Sequence, residues 1–274
     1  MGEARGLVVV KGGGDLASGV IYRLWRVGFP VVVTEIAQPT VVRRAVAFAQ
    51  AVYDGETTVE GLTARRVSHA GQALAALQEG IIPVLVNPQA QVVRELSPQV
   101  VVDAIMAKRN LGTRITDAPL VVALGPGFVA GVDAHAVIET KRGHHLGRVI
   151  LRGAVEPDTA VPADVRGYTQ ERVLRAPADG TVKAYKNIGD PLLAGEVVAE
   201  VGSCAVSAPF SGVLRGLIQE GVWVRKGIKI GDVDPRGMRE YCFTISDRAL
   251  AVAGGVLEAV FYLLRTPGSL RAMV

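Results

Sequence analysis

The chain has 274 residues, a formal net charge of +4, 49% hydrophobic and 20% charged residues. That balance excludes a disordered tail-like protein and, lacking a long Lys/Arg tract with interleaved aromatics, a nucleic-acid groove; it suits an anionic small molecule as partner. Two cysteines, Cys204 and Cys242, are too few for a disulfide framework and lack metal-ligand spacing. No signal-peptide pattern precedes the first strand, and the most apolar stretch, from about Ala249 to Leu264, is short and carries Glu258. The expectation is a cytoplasmic protein with no membrane span; a homo-oligomer is compatible with it.

The first informative stretch is Leu7-Val8-Val9-Val10-Lys11-Gly12-Gly13-Gly14-Asp15-Leu16-Ala17-Ser18-Gly19. It reads as a buried strand, a tight loop and a helix N-terminus. Gly12, Gly14 and Ala17 fit the G-x-G-x-x-G/A spacing in which glycines permit the turn and close approach to a pyrophosphate. Leu16, Val20, Ile21, Leu24 and Val27 form one apolar helical stripe, and Gly28 stands where a helix C-terminal glycine belongs. A strand Val31–Val33 follows, and Glu35 sits about twenty residues beyond the loop, where an acid commonly accepts from a ribose diol.

Beyond Glu35 the pattern predicts a helix over about 41–53, a hairpin of Thr57–Glu60 and Thr63–Val67, and a helix over Gly71–Gln78. Strands are expected at Ile81–Val86, Val100–Ala104 and Pro119–Leu124. Alternation of this kind predicts a Rossmann-like α/β domain over 1–168 with a parallel sheet, whose ligands sit at the strands' carboxyl ends.

Three loops could serve such a ligand. Asp103 ends a strand and is followed by Lys108, Arg109 and Asn110, donors suited to phosphate oxygens or a pterin. Gly125-Pro126-Gly127 forms a rigid turn whose backbone N–H groups could make an anion nest. Then come Asp133, His135 and Glu139, and after them Lys141-Arg142-Gly143-His144-His145, which holds two of the four histidines. His135 with His144 or His145 could move protons or bind metal, but the cationic surroundings favour an anionic ligand over a dication. The candidate cofactor-binding set is therefore Gly12, Gly13, Gly14, Asp15, Glu35, Asp103, Lys108, Arg109, Asn110, Gly125, Gly127, His135, Arg142 and His144. No metal site and no defined catalytic residue emerge.

Near residue 169 helical periodicity gives way to short apolar runs punctuated by Gly and Pro, marking a second domain over 169–238. Ala176-Pro177-Ala178-Asp179-Gly180-Thr181-Val182 is echoed by Ala208-Pro209-Phe210-Ser211-Gly212-Val213-Leu214, with Gly189 answered by Gly221 and Gly195 by Gly227. This duplication resembles the all-β barrel-sandwich hybrid of biotinyl and lipoyl carrier domains. The join between the halves, Glu200 to Val206, lacks the lysine that such carriers modify. A C-terminal segment, 239–274, is expected to place a helix on the first domain, with Ser246 as its N-cap. Gly254 and Gly255 there point to close backbone packing.

Taken together, VVKGGGDLASGV, VDAIMAKRNLGT, ALGPGFVAGVDAHAVIETKRGHHLGRVI, ERVLRAPADG, KIGDVDPR and TISDRA resemble the accessory-protein family of selenium-dependent molybdenum hydroxylases, related to xanthine dehydrogenase accessory proteins. The resemblance implies maturation or insertion of a molybdopterin-type dinucleotide for a xanthine dehydrogenase-like partner hydroxylase. Two alternatives stand beside it. One is an NAD(P)-dependent oxidoreductase using Glu35 and His135 or His144; the other is a non-catalytic adaptor.

Overall fold

The computed structural model describes residues 6–159, 161–162 and 164–264; the end of the expected 239–274 segment lies outside the described residues. The chain forms two compact units. The first takes the residues up to Ala37, Phe48–Asp158 and those from Ile245 onward; the second takes Gln38–Ala47 and Thr159–Thr244.

The first unit is built on one mixed sheet: β1 (Val8–Lys11), β2 (Val31–Glu35), β3 (Glu56–Val59), β4 (Leu62–Val67), β5 (Ile82–Val86), β6 (Val100–Asp103), β7 (Leu120–Leu124), β8 (Ala136–Ile138) and β9 (Val149–Ile150). Its order is β3-β4-β5-β2-β1-β6-β7-β8-β9. The strands from β4 to β8 pair in parallel, whereas β3 and β9 close the edges antiparallel. The sheet is thus mixed rather than the expected parallel one, because a hairpin at one edge and a returning strand at the other need no crossover. The central strands are nearly continuous valine, as strands buried on both faces must be.

Helices α1 (Asp15–Arg26), α2 (Ala51–Asp54), α3 (Ala70–Gln78), α4 (Val92–Leu96) and α5 (Asp247–Leu264) complete the unit. Alternation along the strands divides the core. Val9, Val32, Val101, Val121 and Val137 share a cluster with Ala73 and Ala76 of α3 and Val92 and Val93 of α4. On the other face α5 packs against Ile138, and α1 packs on α5. α1 ends in a Schellman turn: Gly28 (φ +89) donates to the Trp25 carbonyl and Phe29 N to that of Leu24. Among the described residues no helix is long and apolar enough to cross a membrane.

The expected 41–53 helix does not form as such. Residues 44–46 and 48–50 are single 3-10 turns, and only Ala51–Asp54 is α-helical. Tertiary contact overrides propensity here, since residues 38–47 lie on the second unit's own strands. Those strands are β10 (Val173–Arg175), β11 (Gly180–Ala184), β12 (Pro191–Leu192), β13 (Val197–Val201), β14 (Cys204–Ser207), β15 (Gly212–Leu217), β16 (Trp223–Val224) and β17 (Lys229–Asp234). They make two antiparallel four-stranded sheets, β10-β17-β15-β12 and β14-β13-β11-β16, and no closed barrel among the described residues. Each half of the sequence repeat lends one short strand to the other: β12 pairs with β15, and β16 with β11. Gly189, Gly195, Gly221 and Gly227 all have positive φ, so the repeated glycines mark repeated turns.

The two neighbouring glycines of α5 differ in what they face. A Cβ on Gly255 would collide with the Gly147 carbonyl oxygen, whereas one on Gly254 would meet nothing within 4 Å. Gly254→Ala therefore raises stability by about 0.5–1 kcal/mol through helix propensity. Gly255→Ala lowers it by about 1–3 kcal/mol through overpacking. Urea unfolding of the two variants checks the opposite signs.

Candidate functional site

β1 is the strand from which the chain departs to β2 on one side and to which it returns as β6 on the other, so loops diverge at the carboxyl ends of β1 and β6. In open α/β sheets such a divergence leaves a crevice. The strand-end residues Lys11 and Asp103 are in direct register. Both are buried, Lys11 at 6% exposure and Asp103 at 2%, and Thr113 from the following loop completes the group. The Lys11 ammonium hydrogen-bonds the Thr113 hydroxyl. That hydroxyl donates to Asp103 Oδ2 at 2.5 Å, and Lys11 Nζ lies 3.6 Å from the same oxygen. Asp103 Oδ1 accepts from Ile105 N at 3.2 Å. A charge pair this deep is tolerated because each partner is hydrogen-bonded.

The glycine loop joins β1 to α1. Gly12 has φ +88, and a Cβ on it would sit 3.1 Å from the Ala104 carbonyl oxygen after β6. Gly13 lies under Ala49, whose N–H donates to the Gly13 carbonyl at 2.9 Å. Ser18 fixes the same cover, accepting from Phe48 N at 3.0 Å. Gly14 is the N-cap of α1 in extended conformation, with no side-chain capping bond, and Asp15 opens the helix. At the end of β2, Glu35 accepts from Gly13 N at 2.7 Å and from Ile36 N at 2.9 Å. Burial pushes its carboxyl above the ordinary range against the pull of those two N–H donors. Glu35 therefore holds the loop's own backbone, a role the ribose expectation did not include.

Residues 104–113 form a strained cover over this edge, with Met106 (φ 61) and Lys108 (φ 60) left-handed. Asn110 organises it: its Oδ1 accepts from the N–H groups of Gly112 and Thr113 at 2.8 Å, and its Nδ2 donates to the Thr113 carbonyl at 2.8 Å. Lys108 pairs with Asp158 at 2.5 Å. A Cβ on Gly127 would lie 2.5 Å from Arg109 Cα, and one on Gly125 would meet Thr140 Oγ1 at 2.7 Å. Gly125 N already donates to Ile138 at 2.9 Å. Gly127 thus serves close packing against the backbone of the cover, and Gly125 leaves room for the Thr140 side chain, where the sequence pointed to an anion nest.

The histidines separate. His135 precedes β8 at the amino-terminal edge, its Nδ1 accepting from Val121 N at 2.9 Å. It cannot join the glycine loop at the opposite edge, nor His144, which lies in the loop after β8 edge-to-face with His145 at 5.0 Å. Arg142 in that loop forms a bidentate pair with Asp247 at 2.8 and 3.0 Å. The carboxyl edge thus collects Gly12–Gly14, Asp15, Glu35, Asp103, the 108–110 loop, Gly125 and Gly127 after β7, and the loop after β8 that holds Arg142 and His144; of the candidate residues His135 alone lies at the other edge. Sequence reasoning missed three residues. Lys11 carried a signal, a cation ending an all-valine strand. Thr113 and Arg248 carried none; Arg248 donates to the Thr140 carbonyl at 2.8 Å, and burial lowers its pKa while the Asp15 charge raises it. Among the described residues no group of three or more His, Cys, Asp or Glu could hold a metal ion.

No family model matches the chain. It is 50% identical over 258 residues to the uncharacterised protein YqeB of Escherichia coli (strain K12), covering 94% of this chain and 48% of that one. The chain thus spans about half the length of the curated relative it matches. Among solved structures it is similar to the ectoine utilization protein EutE (DoeB) of Ruegeria pomeroyi, with 11% identity, 84% and 85% of the two chains covered and a TM-score of 0.26. A succinylglutamate desuccinylase of a Silicibacter species gives 13%, 85%, 85% and 0.26. An aspartoacylase family protein of Mesorhizobium loti gives 11%, 84%, 85% and 0.26. At such scores no activity is transferred to this chain.

These findings correct the family expectation. No family model supports it, and the relative that the chain matches at 50% identity is an uncharacterised protein, not a molybdenum hydroxylase accessory protein. The maturation role, the selenium and molybdenum link and the hydroxylase partner are withdrawn. The oxidoreductase and adaptor alternatives are not favoured either, and His135 lies at the wrong edge for the acid–base role the first gave it.

Lys11→Met leaves Asp103 buried without its cation and costs about 3–5 kcal/mol. The double variant Lys11→Met, Asp103→Leu recovers most of that loss, which chemical denaturation measures. Burial holds the His135 pKa below its ordinary value. Its neutral form is favoured by folding, so its contribution is complete above about pH 6.5 and is lost as pH falls through the depressed value. His135→Gln flattens the melting-temperature profile in that acidic window.

Proposed function

We propose that the carboxyl edge of the large sheet, read as a Rossmann-like domain, binds the phosphate or pyrophosphate of a nucleotide-class ligand. The carrying observation is α1 itself: a helix of 12 residues that begins at a glycine loop without a side-chain cap, beside the divergence of β1 and β6. Helix N-terminal N–H groups and the macrodipole favour an anion there. Glu35 supports the reading by fixing Gly13 N, so the loop is shaped before a ligand arrives. Arg109, on the strained cover, supplies a cation to the same edge, where Lys108 is already paired with Asp158, while Asp103 and Asn110 hold the cover down.

In the second unit, read as a barrel-sandwich hybrid, the β13–β14 turn is Gly202-Ser203, so no lysine is offered for acylation. This is a binding reading and names no reaction. Two free cysteines, one exposed and one buried, go with a reducing compartment.

Gly14→Asp is the test. Aspartate is a good N-cap, so the variant folds with stability equal to or a few tenths of a kcal/mol above the parent. Its carboxylate occupies the anion position and lowers affinity for ADP or a dinucleotide at least about tenfold by calorimetric titration. Parent protein that binds no member of a nucleotide panel overturns the reading.

A further inference from the structure

A second cationic centre lies inside the second unit, built by residues that the sheet-edge site does not use. Residues 38–47 lie on β15 so closely that a Cβ on Gly216 would meet the Val42 carbonyl oxygen at 2.8 Å. Arg44 Nε donates to the Leu217 carbonyl at 3.1 Å. Between these anchors Arg43 is buried, its Nη2 donating to the carbonyls of Tyr241 and Thr244 at 3.0 and 3.1 Å. Arg215 of β15 and Arg172 are buried beside Asp232 and Asp234 of β17.

The two carboxylates are already committed. Arg172 Nη2 reaches both oxygens of Asp232 at 3.0 and 3.1 Å. Arg236 grips Asp234 through Nε at 2.9 Å and Nη2 at 2.6 Å. Burial alone would raise the Asp234 pKa; the Arg236 hydrogen bonds outweigh it and hold Asp234 ionised. Arg215 receives only a share of that carboxylate, Nη1 to Oδ2 at 3.3 Å. Its Nε is buried without a hydrogen-bond partner, in a residue 9% exposed. Burial and then the Arg43 charge depress the Arg215 pKa, which Asp234 and Asp232 only partly offset. A guanidinium does not deprotonate, so its unmatched charge and donor stay in place.

We propose that Arg215 and Arg43 form an anion site for a small tetrahedral oxyanion of the phosphate or sulfate class. The guanidinium fork matches such an anion's oxygens better than a spherical halide. Deep burial restricts the occupant to an ion of few atoms. This site is separate from the sheet edge and does not depend on the nucleotide reading.

The full chain is exchanged into buffer free of phosphate and sulfate, then titrated with inorganic phosphate, sodium sulfate or sodium chloride at matched ionic strength. Phosphate or sulfate raises the melting temperature saturably, by about 5 °C or more at a hundredfold excess over Kd, and chloride does not. Arg215→Met abolishes the shift and melts at or above the parent in anion-free buffer. Arg43→Met, the second variant, weakens the anion at least about tenfold. Gly14→Asp keeps the full shift. Identical melting in all three salts overturns the proposal, as does a shift kept in Arg215→Met and lost in Gly14→Asp.

Discussion

The charge pair between Lys11 and Asp103 is the constraint on which the first unit turns. A parallel sheet buried on both faces has no use for ions within its valine strands, and each ion taken from water costs several kcal/mol before pairing returns part of it. Here the two sit in register on adjacent strands, at the point where the chain's path divides. Removing either leaves the other stranded in low dielectric. The pair is sustainable because Thr113 closes it from above. The loop that carries Thr113 is therefore held by the core, although its sequence reads as a surface connection.

A second layer of order rests on that one. Thr113 fixes the end of the 104–113 cover, Asn110 braces it from within, and Met106 and Lys108 take left-handed backbone that few side chains accept without compensation. Gly127 is small because the cover's backbone comes down on it at Arg109, and Gly125 because the Thr140 side chain stands against it. Glu35 does for the glycine loop what Asn110 does for the cover, offering side-chain oxygens to backbone N–H groups that no strand can satisfy. The carboxyl edge is thus pre-arranged by polar side chains acting on main chain.

Much of this was legible in the sequence, and the reasons for success and failure are physical. Valine runs ending at glycines located β1 and the loop; Gly28 and Ser246 marked helix ends, and Ser246 Oγ accepts from Ala249 N at 3.2 Å as a capping serine should. The repeat of Ala176–Val182 in Ala208–Leu214 marked the turns that lead into β11 and β15, but neither the part that residues 38–47 take in the second unit nor the exchange of short strands between its halves, which no local pattern encodes. The 41–53 helix failed because the segment divides between the two units: 41–47 goes with the second, where Val42 lies against Gly216 of β15, and 48–53 with the first. His135 and His144 were grouped by nearness in sequence, whereas a three-residue strand between them carries the chain to the other edge of the sheet. Thr113 and Arg248 matter only through partners about ten and a hundred residues away.

The placement of α5 has a consequence for how the protein is made. α1 follows the first strand, and its packing face is completed by α5, the last described helix, with the whole of the second unit synthesised between them. On the ribosome the 159–244 region can close on its own strands while the earlier sheet waits with the α1 side uncovered. During that interval the face of α1 that packs on α5 lacks its cover, which arrives only when α5 emerges.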